Sequence, residues 1–337
     1  YFILQNMYTR VLVEGWEIED SIDQAVKELE DLRDSFEPMA EPVSEGPMEL
    51  EVWFLEGVTT DEEIVWREEQ IVNFGEEYGV DVTVHYEPQE SYFKKLSVLL
   101  ETGQLPDVWM TYETQLGSYI EAGALADITD VIEETDKRGG GIVEGVVDGI
   151  TWSDGNIYGI PYMIWADAWY FRKDLLDEAG LDVPTTYEEV VEAAIALADP
   201  SVPRCGWGAL LGPTLGDPHF EANSEIWSWG GAVWGEDGRT VALKSPEVVD
   251  LIQFMKDAWD AGAMCDDTLN WDSGGNNQCY QSGTCAIVQN AGSIFRYLNA
   301  NDPDLLANTV TPAAQAGPTG MRANLTNYQP WVISANA

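Results

Sequence analysis

The stretch Ser153–Ala194 reads SDGNIYGIPYMIWADAWYFRKDLLDEAGLDVPTTYEEVVEAA. It opens on the turn pair Asp154-Gly155 and passes Gly159 and Pro161 into Tyr162–Phe171, an almost unbroken apolar and aromatic run. A run of that kind bounded by turn residues predicts a buried strand, here one passing between two halves of the molecule. Trp165 and Asp167 are two residues apart and so share one face of such a strand; both are expected to face a ligand, and Trp169 to be core. Two helices follow, Lys173–Ala179 and Tyr187–Ala198. Thr186 caps the second, with Glu189 three residues on as a capping box.

Upstream, residues 16–35 place Ile18, Ile22, Ala25, Val26, Leu29 and Leu32 three and four apart, which predicts a helix. Residues 37–47, EPMAEPVSEGP, read as an extended acidic linker. MELEVWFLEG from Met48 is a strand, TTDEEIVWREEQIVNFGEEYG a capped helix and VDVTVHYEP a second strand. SYFKKLSVLLETGQ is a helix ended by Gly103, and LPDVWMTY a third strand. Strands alternating with helices imply a parallel sheet and an α/β fold, with ligands at the carboxyl ends of the strands. Downstream, a helix over Phe220–Trp229 ends at Gly230-Gly231, a hairpin-like turn falls at Glu236-Asp237-Gly238, and SPEVVDLIQFMKDAWDAGAM is a capped amphipathic helix. YQSGTCAIVQNAGSIFRYL reads turn, strand, glycine, helix.

The chain has 337 residues, room for two domains. Sixteen basic residues stand against sixty acidic ones, a net charge of -44. Nucleic acid is not an expected partner, since phosphate binding needs clustered Lys and Arg; an anionic lipid surface is disfavoured likewise. Such a surface repels itself at low salt and is screened within about 3 Å at 1 M salt. High-salt surroundings are therefore expected, a merely acidic secreted protein being the plainer alternative. The chain opens on Tyr1 and shows neither a membrane-length apolar run nor a signal peptide, so a processed or partial sequence is expected.

The four cysteines, Cys205, Cys265, Cys279 and Cys285, form no CxxC pair, and His85 and His219 lie far from them in sequence, so no metal site is expected. Two disulfides and buried free thiols are both open. No nucleophile elbow, zinc-protease, phosphate-loop or dinucleotide motif occurs, and no cofactor or catalytic residue is expected. A pair of carboxylates for glycoside hydrolysis cannot be singled out among sixty. Aromatic density near turns and strand ends stands out instead, fitting a pocket with an apolar wall and a few placed polar groups.

In their order, EVWFLEG, TGQLPDVWM, EAGALADITDVI, the run from Asp154 to Ala194, WSWGGAVW, LKSPEVVDLIQFMKD, QSGTCAIVQNAGS and NYQPWVISANA resemble the extracellular solute-binding proteins of ABC importers, in the maltose-binding-protein-like carbohydrate group. The resemblance covers about residues 48–337. It implies an α/β, two-lobed periplasmic-binding-protein fold of type II, its lobes joined by crossing hinge strands. Those crossings would be Tyr162–Trp165, Ala286–Asn290 and Trp331–Ser334. One lobe would comprise 48–162 and 287–333, the other 163–286. Residues 1–36 resemble the family's C-terminal helices and would pack on the second lobe, a permuted or incomplete chain order.

The ligand positions that the resemblance implies are Glu56 after the first strand, Tyr112 and Glu113 after Pro106-Asp107-Val108, and Trp165 and Asp167. Phe220 and Trp229 would serve from the helix before Gly230-Gly231, Asn290 and Gly292 from beyond the second crossing, and Tyr328 and Trp331 from before the third. Trp271 is added to them. The implied function is capture of a neutral mono- or oligosaccharide for an ABC permease, by a monomer held extracellularly, at the cell surface or in the periplasm and tethered to the membrane. A secreted glycosidase, or the same fold for a polyol or peptide, is the alternative.

Overall fold

A computed structural model of the chain describes residues 3–33, 49–56, 61–139, 144–202, 204–213, 217–238, 240–324 and 326–337; the linker read at 37–47 lies outside them. In chain order the elements are α1 (Ile3–Leu12), α2 (Ile18–Arg33), β1 (Glu49–Glu56), α3 (Asp61–Tyr78), β2 (Asp81–Pro88), α4 (Gln89–Thr102), β3 (Val108–Met110) and α5 (Glu113–Glu121). There follow α6 (Thr129–Gly139), α7 (Glu144–Ile150), β4 (Ile160–Ala166), β5 (Ala168–Arg172), α8 (Lys173–Ala179), α9 (Tyr187–Leu197), β6 (Cys205–Trp207) and α10 (Asp217–Ser228). The last are α11 (Pro246–Asp260), α12 (Gly275–Gln281), β7 (Cys285–Asn290), α13 (Ser293–Asn301), α14 (Pro303–Ala307), β8 (Thr309–Val310) and β9 (Thr326–Ile333).

The chain divides into two compact units: residues 35–164 with 327–337, and residues 1–34 with 165–326. The first is built on a five-stranded sheet in the order β2-β1-β3-β9-β4. β1 pairs in parallel with β2 and β3, and β9 runs antiparallel to β3. β1 buries Trp53, Phe54 and Leu55, as a strand covered on both faces must. Tyr92 of α4 pins that helix to the sheet: its hydroxyl accepts from Met110 N at 3.1 Å and lies 2.9 Å from Met110 O. α4 ends where Gly103 takes a left-handed φ of 67°, the conformation that favours glycine.

The second unit has a four-stranded sheet in the order β6-β7-β5-β8. Trp169, Phe171, Trp207 and Ile287 fill one core with α9, α10 and α11. α9 starts as read, Thr186 Oγ1 accepting from Glu189 N at 3.2 Å, while the Glu189 carboxylate accepts from Thr185 N at 2.7 Å, one residue before the cap. α1 and α2 pack into this same core through Leu4, Met7, Tyr8, Val11, Ile22 and Ala25. Ser21 Oγ donates to Met7 O at 2.9 Å and ties the two helices together. The cysteines are joined as Cys205–Cys265 and Cys279–Cys285, both in this unit.

Three sequence expectations change. The apolar run Tyr162–Phe171 is two strands, β4 and β5, broken at Asp167 and belonging to different sheets. Ala286–Asn290 is not a crossing: β7 is buried at every residue and stands between β6 and β5, inside the second unit. A central strand with both faces covered needs neighbours on both edges, and β7 finds both in this sheet. Residues 287–326 therefore lie with 165–286 rather than with the first unit. The last passage between units falls at residues 326–327, ahead of the expected Trp331–Ser334. Among the described residues no helix is long and apolar enough to cross a membrane.

Candidate functional site

In each unit the parallel strands end on a distinct group of side chains. In the first, Phe54 near the end of β1 is the hub. Its ring stacks on Tyr86 at 5.3 Å, meets Trp331 edge-on at 4.8 Å and carries the Arg67 guanidinium 4.4 Å over its face. Arg67, from the second turn of α3, donates through Nη2 to the Tyr162 hydroxyl at 2.9 Å. A desolvated guanidinium over aromatic faces is worth about 2 kcal/mol, and it holds Tyr162 in place. Tyr162 and Trp331 lie edge to face at 6.1 Å. Tyr162 keeps 37% of its surface exposed, and Trp331 is half-buried. Together they offer ring surface to the apolar face of a ligand.

Met110 of β3 stands opposite Trp331 of β9, so Glu56, Tyr112, Glu113 and Trp331 share this edge of the sheet. The side chains of Glu56 and Glu113 lie outside the described residues. Tyr112 is buried and stacks on Phe93 at 4.9 Å. Tyr328 is buried among Ile128, Ile132, Ile150 and Ile157 and donates its hydroxyl to Gly149 O. Protein neighbours thus cover most of both tyrosines.

In the second unit a buried polar network occupies the corresponding strand ends. Glu221 of α10 accepts from Leu210 N at 2.9 Å and from Asn276 Nδ2 at 3.2 Å. Asn276 Nδ2 also donates to Gln289 O at 2.8 Å, and Asn276 Oδ1 accepts from Asn290 Nδ2 at 2.9 Å. Ser293 Oγ donates to Asn290 Oδ1 at 2.8 Å, just beyond Gly292, where nothing lies within 4 Å of an added Cβ. Ala168 pairs with Asn290, which sets Asp167 beside the end of β7. Asn324 Nδ2 donates to Asp167 O at 2.8 Å. The side chain of Trp165 lies outside the described residues.

Three aromatics in this unit are held by the protein. Phe220 is buried, edge-on to His219 at 5.8 Å. Trp271 is wedged against Gly208, Gly212 and Gly275, where any added Cβ would meet it. Trp229, expected at the ligand, is core: it meets Tyr187 edge-on at 4.8 Å and Phe254 at 5.0 Å. Ala222 and Ile226, four apart on α10, and Trp229 just past its end turn to the same core. Burial of the same helix pushes the Glu225 carboxyl up to about 7, against the hydrogen bond it accepts from Tyr8. Burial pulls the His219 imidazole down to about 4.

Sequence reasoning missed Arg67, Tyr162, Glu221, Asn276 and Ser293. Tyr162 alone carried a signal, following Pro161 at the head of the aromatic run. The others are single polar residues without a motif.

The profile of the family described as bacterial extracellular solute-binding protein matches residues 56–337. The chain is 25% identical over 186 residues to the putative ABC transporter periplasmic-binding protein YcjN of Escherichia coli, covering 52% of this chain and 41% of that one. It is 24% identical over 220 residues to an arabinooligosaccharide-binding protein of Halalkalibacterium halodurans, covering 63% and 46%. It thus spans about half the length of the curated relatives it matches. Among solved structures, a Thermotoga lettingae solute-binding protein with bound tagatose superposes with a TM-score of 0.70 at 19% identity, over 86% of this chain and 73% of that one. Maltose-bound T. maritima MalE3 gives 0.69 at 23% identity over the same shares. The shared fold is the two-lobed one of the maltose-binding group.

Proposed function

This chain belongs to the bacterial extracellular solute-binding proteins, and from that premise we propose that it captures a neutral sugar or polyol for an ABC importer. The observation that carries the reading is the paired rings of Tyr162, exposed and braced by Arg67, and Trp331, half-buried, at the strand ends. Flat rings suit the apolar faces of sugar rings, and the buried bonds of Glu221, Asn276 and Ser293 hold Asn290 in place at the end of its strand. A net charge of -44 disfavours an anionic solute. Trp331, Tyr162, Glu56 and Glu113 of the first unit, and Asn290, Asp167 and Trp165 of the second, are the proposed ligand residues. Phe220, Trp271, Tyr112 and Tyr328 shape the walls behind them, and Gly292 leaves room. Polyol binding is favoured alongside sugar binding because one structural neighbour holds ribitol.

The same reading makes the chain a monomer acting outside the cell in high salt and delivering its solute to a permease. A lipoprotein among the relatives supports a membrane tether. The shared core of α1 and α2 with α10 and α11 supports reading residues 1–36 as the closing helices of their unit. A thermal-shift panel of neutral sugars and polyols at high salt tests the function. A ligand at a hundred times its Kd adds about 2.7 kcal/mol of stability. A hit recovered chemically unchanged supports capture; hydrolysis of the hit, or no shift with any sugar or polyol, overturns it.

A further inference from the structure

Four cysteines from separate parts of the second unit converge on one point. Cys205 opens β6, Cys265 follows α11, Cys279 lies in α12 and Cys285 opens β7. All four sulfurs lie within 4.8 Å of one another. Across the two bridges, Cys285 Sγ is 3.8 Å from Cys205 Sγ and 3.6 Å from Cys265 Sγ. Cross-linking alone does not call for this, because a disulfide's effect depends on the loop it closes and not on a neighbouring bridge. A tetrahedral tetrathiolate does call for it: with metal–sulfur bonds of about 2.3 Å, its sulfurs stand about 3.8 Å apart.

The surroundings fit such a centre. Cys205 and Cys285 are register partners in the parallel pair β6–β7. Cys265 N donates to Trp207 O at 3.1 Å, which fixes the third ligand to the same strand. Thr284 Oγ1 donates towards Cys279 Sγ at 3.4 Å, the kind of outer hydrogen bond that steadies a thiolate. Gly208 makes the space: a Cβ there would lie 2.7 Å from Cys285 Sγ. Tyr170, Tyr280, Val288, Ile294 and Leu298 pack around the sulfurs and exclude water. No spacing in the sequence signals the cluster, since the fold rather than a CxxC motif assembles the set.

We propose that these four cysteines, when reduced, form one tetrathiolate site for a soft divalent cation of the Zn2+ type. Each disulfide takes two electrons from the reductant and becomes two thiols: a pair of reductant thiols also gives the two protons and leaves as a disulfide, whereas a phosphine leaves as its oxide, one water supplying the oxygen and both protons. The cation then binds four thiolates and releases the four thiol protons. Covalent and metal-held cross-links use the same sulfurs and exclude each other.

The test uses the full chain, reduced with a phosphine under argon and freed of reductant, with Co2+ as probe. The expected result is one Co2+ per chain, with thiolate-to-metal charge-transfer bands and the d–d bands of tetrahedral Co2+, bleached by one equivalent of Zn2+. The air-oxidised chain should show neither. The Cys279→Ser/Cys285→Ser double variant, which keeps the other pair, should lose the tetrathiolate spectrum. Circular dichroism separates loss of site from loss of fold: helix regained on adding Zn2+ supports the site. A reduced chain, folded or unfolded, that takes up no Co2+, or whose four thiols stay equally reactive to a disulfide reagent with Zn2+ present, overturns it.

Discussion

The Tyr8 hydroxyl donates to Glu225 Oε2 at 2.7 Å, and both residues are buried. The bond joins the first helix of the chain to α10, more than two hundred residues later. It also buries a carboxyl whose proton is held up to about 7, against an ordinary value of 4.5. Between those values the folded chain keeps the proton and the unfolded chain has lost it. The folded state then binds more protons, so stability falls as pH rises from about 4.5 to about 7 and is level above that. The shift corresponds to about 3 kcal/mol. Glu225→Gln should remove this contribution, seen as a flatter urea-midpoint profile than the wild type between pH 5 and 7. An unchanged profile would refute the assignment.

The same pair bears on the N-terminal helices. Met7 is fully buried between α2, α10 and α11. Met7→Ala should cost about 2–5 kcal/mol, the usual range for emptying a core site. Chemical denaturation followed by tryptophan fluorescence would measure it; a loss below about 0.5 kcal/mol would mean α1 is loosely held.

At the ligand residues, Trp331→Ala should weaken sugar or polyol binding at least about tenfold, which is about 1.4 kcal/mol. Arg67→Met should weaken binding as well, by freeing Tyr162, while leaving the ring surface of Trp331 present. Trp229→Phe should leave affinity unchanged and lower stability, because that ring faces Tyr187 and Phe254. Calorimetric titration of each variant distinguishes these outcomes.

Sixty acidic residues against sixteen basic ones make salt a stabiliser. Raising KCl from about 0.1 M to about 1 M shortens the screening length from about 10 Å to about 3 Å. Relief of a few kcal/mol of repulsion should raise Tm by roughly 5–10 °C. A Tm independent of salt would contradict a high-salt setting.

Local chemistry made much of the fold legible. Gly103, Thr186 and the Asp237-Gly238 turn each declare themselves through neighbours close in sequence, and the structure uses each as read: Gly238 takes a φ of 66° inside a turn closed by Gly235 N donating to Thr240 O. Long-range placement was less legible. Ala286–Asn290 reads as a buried strand wherever it stands, so its central place in one sheet could not be told from a crossing. Aromatics near turns read as ligand-facing, yet Trp229 and Tyr328 turn inward, because an aromatic's direction depends on the partner element. Arg67 and Glu221 each sit on a helix of an acidic chain and differ from surface charges only by what packs over them.

β9 stands between β3 and β4, although residues 167–325 separate it from β4 in sequence. At roughly 5–20 residues per second, a ribosome needs roughly ten to thirty seconds to supply that missing strand. Until then β3 and β4 each have an open edge, and one half of the protein must wait, unfinished, while the other is made. Whatever shields those edges in the cell governs how much of the newly made chain reaches its final form.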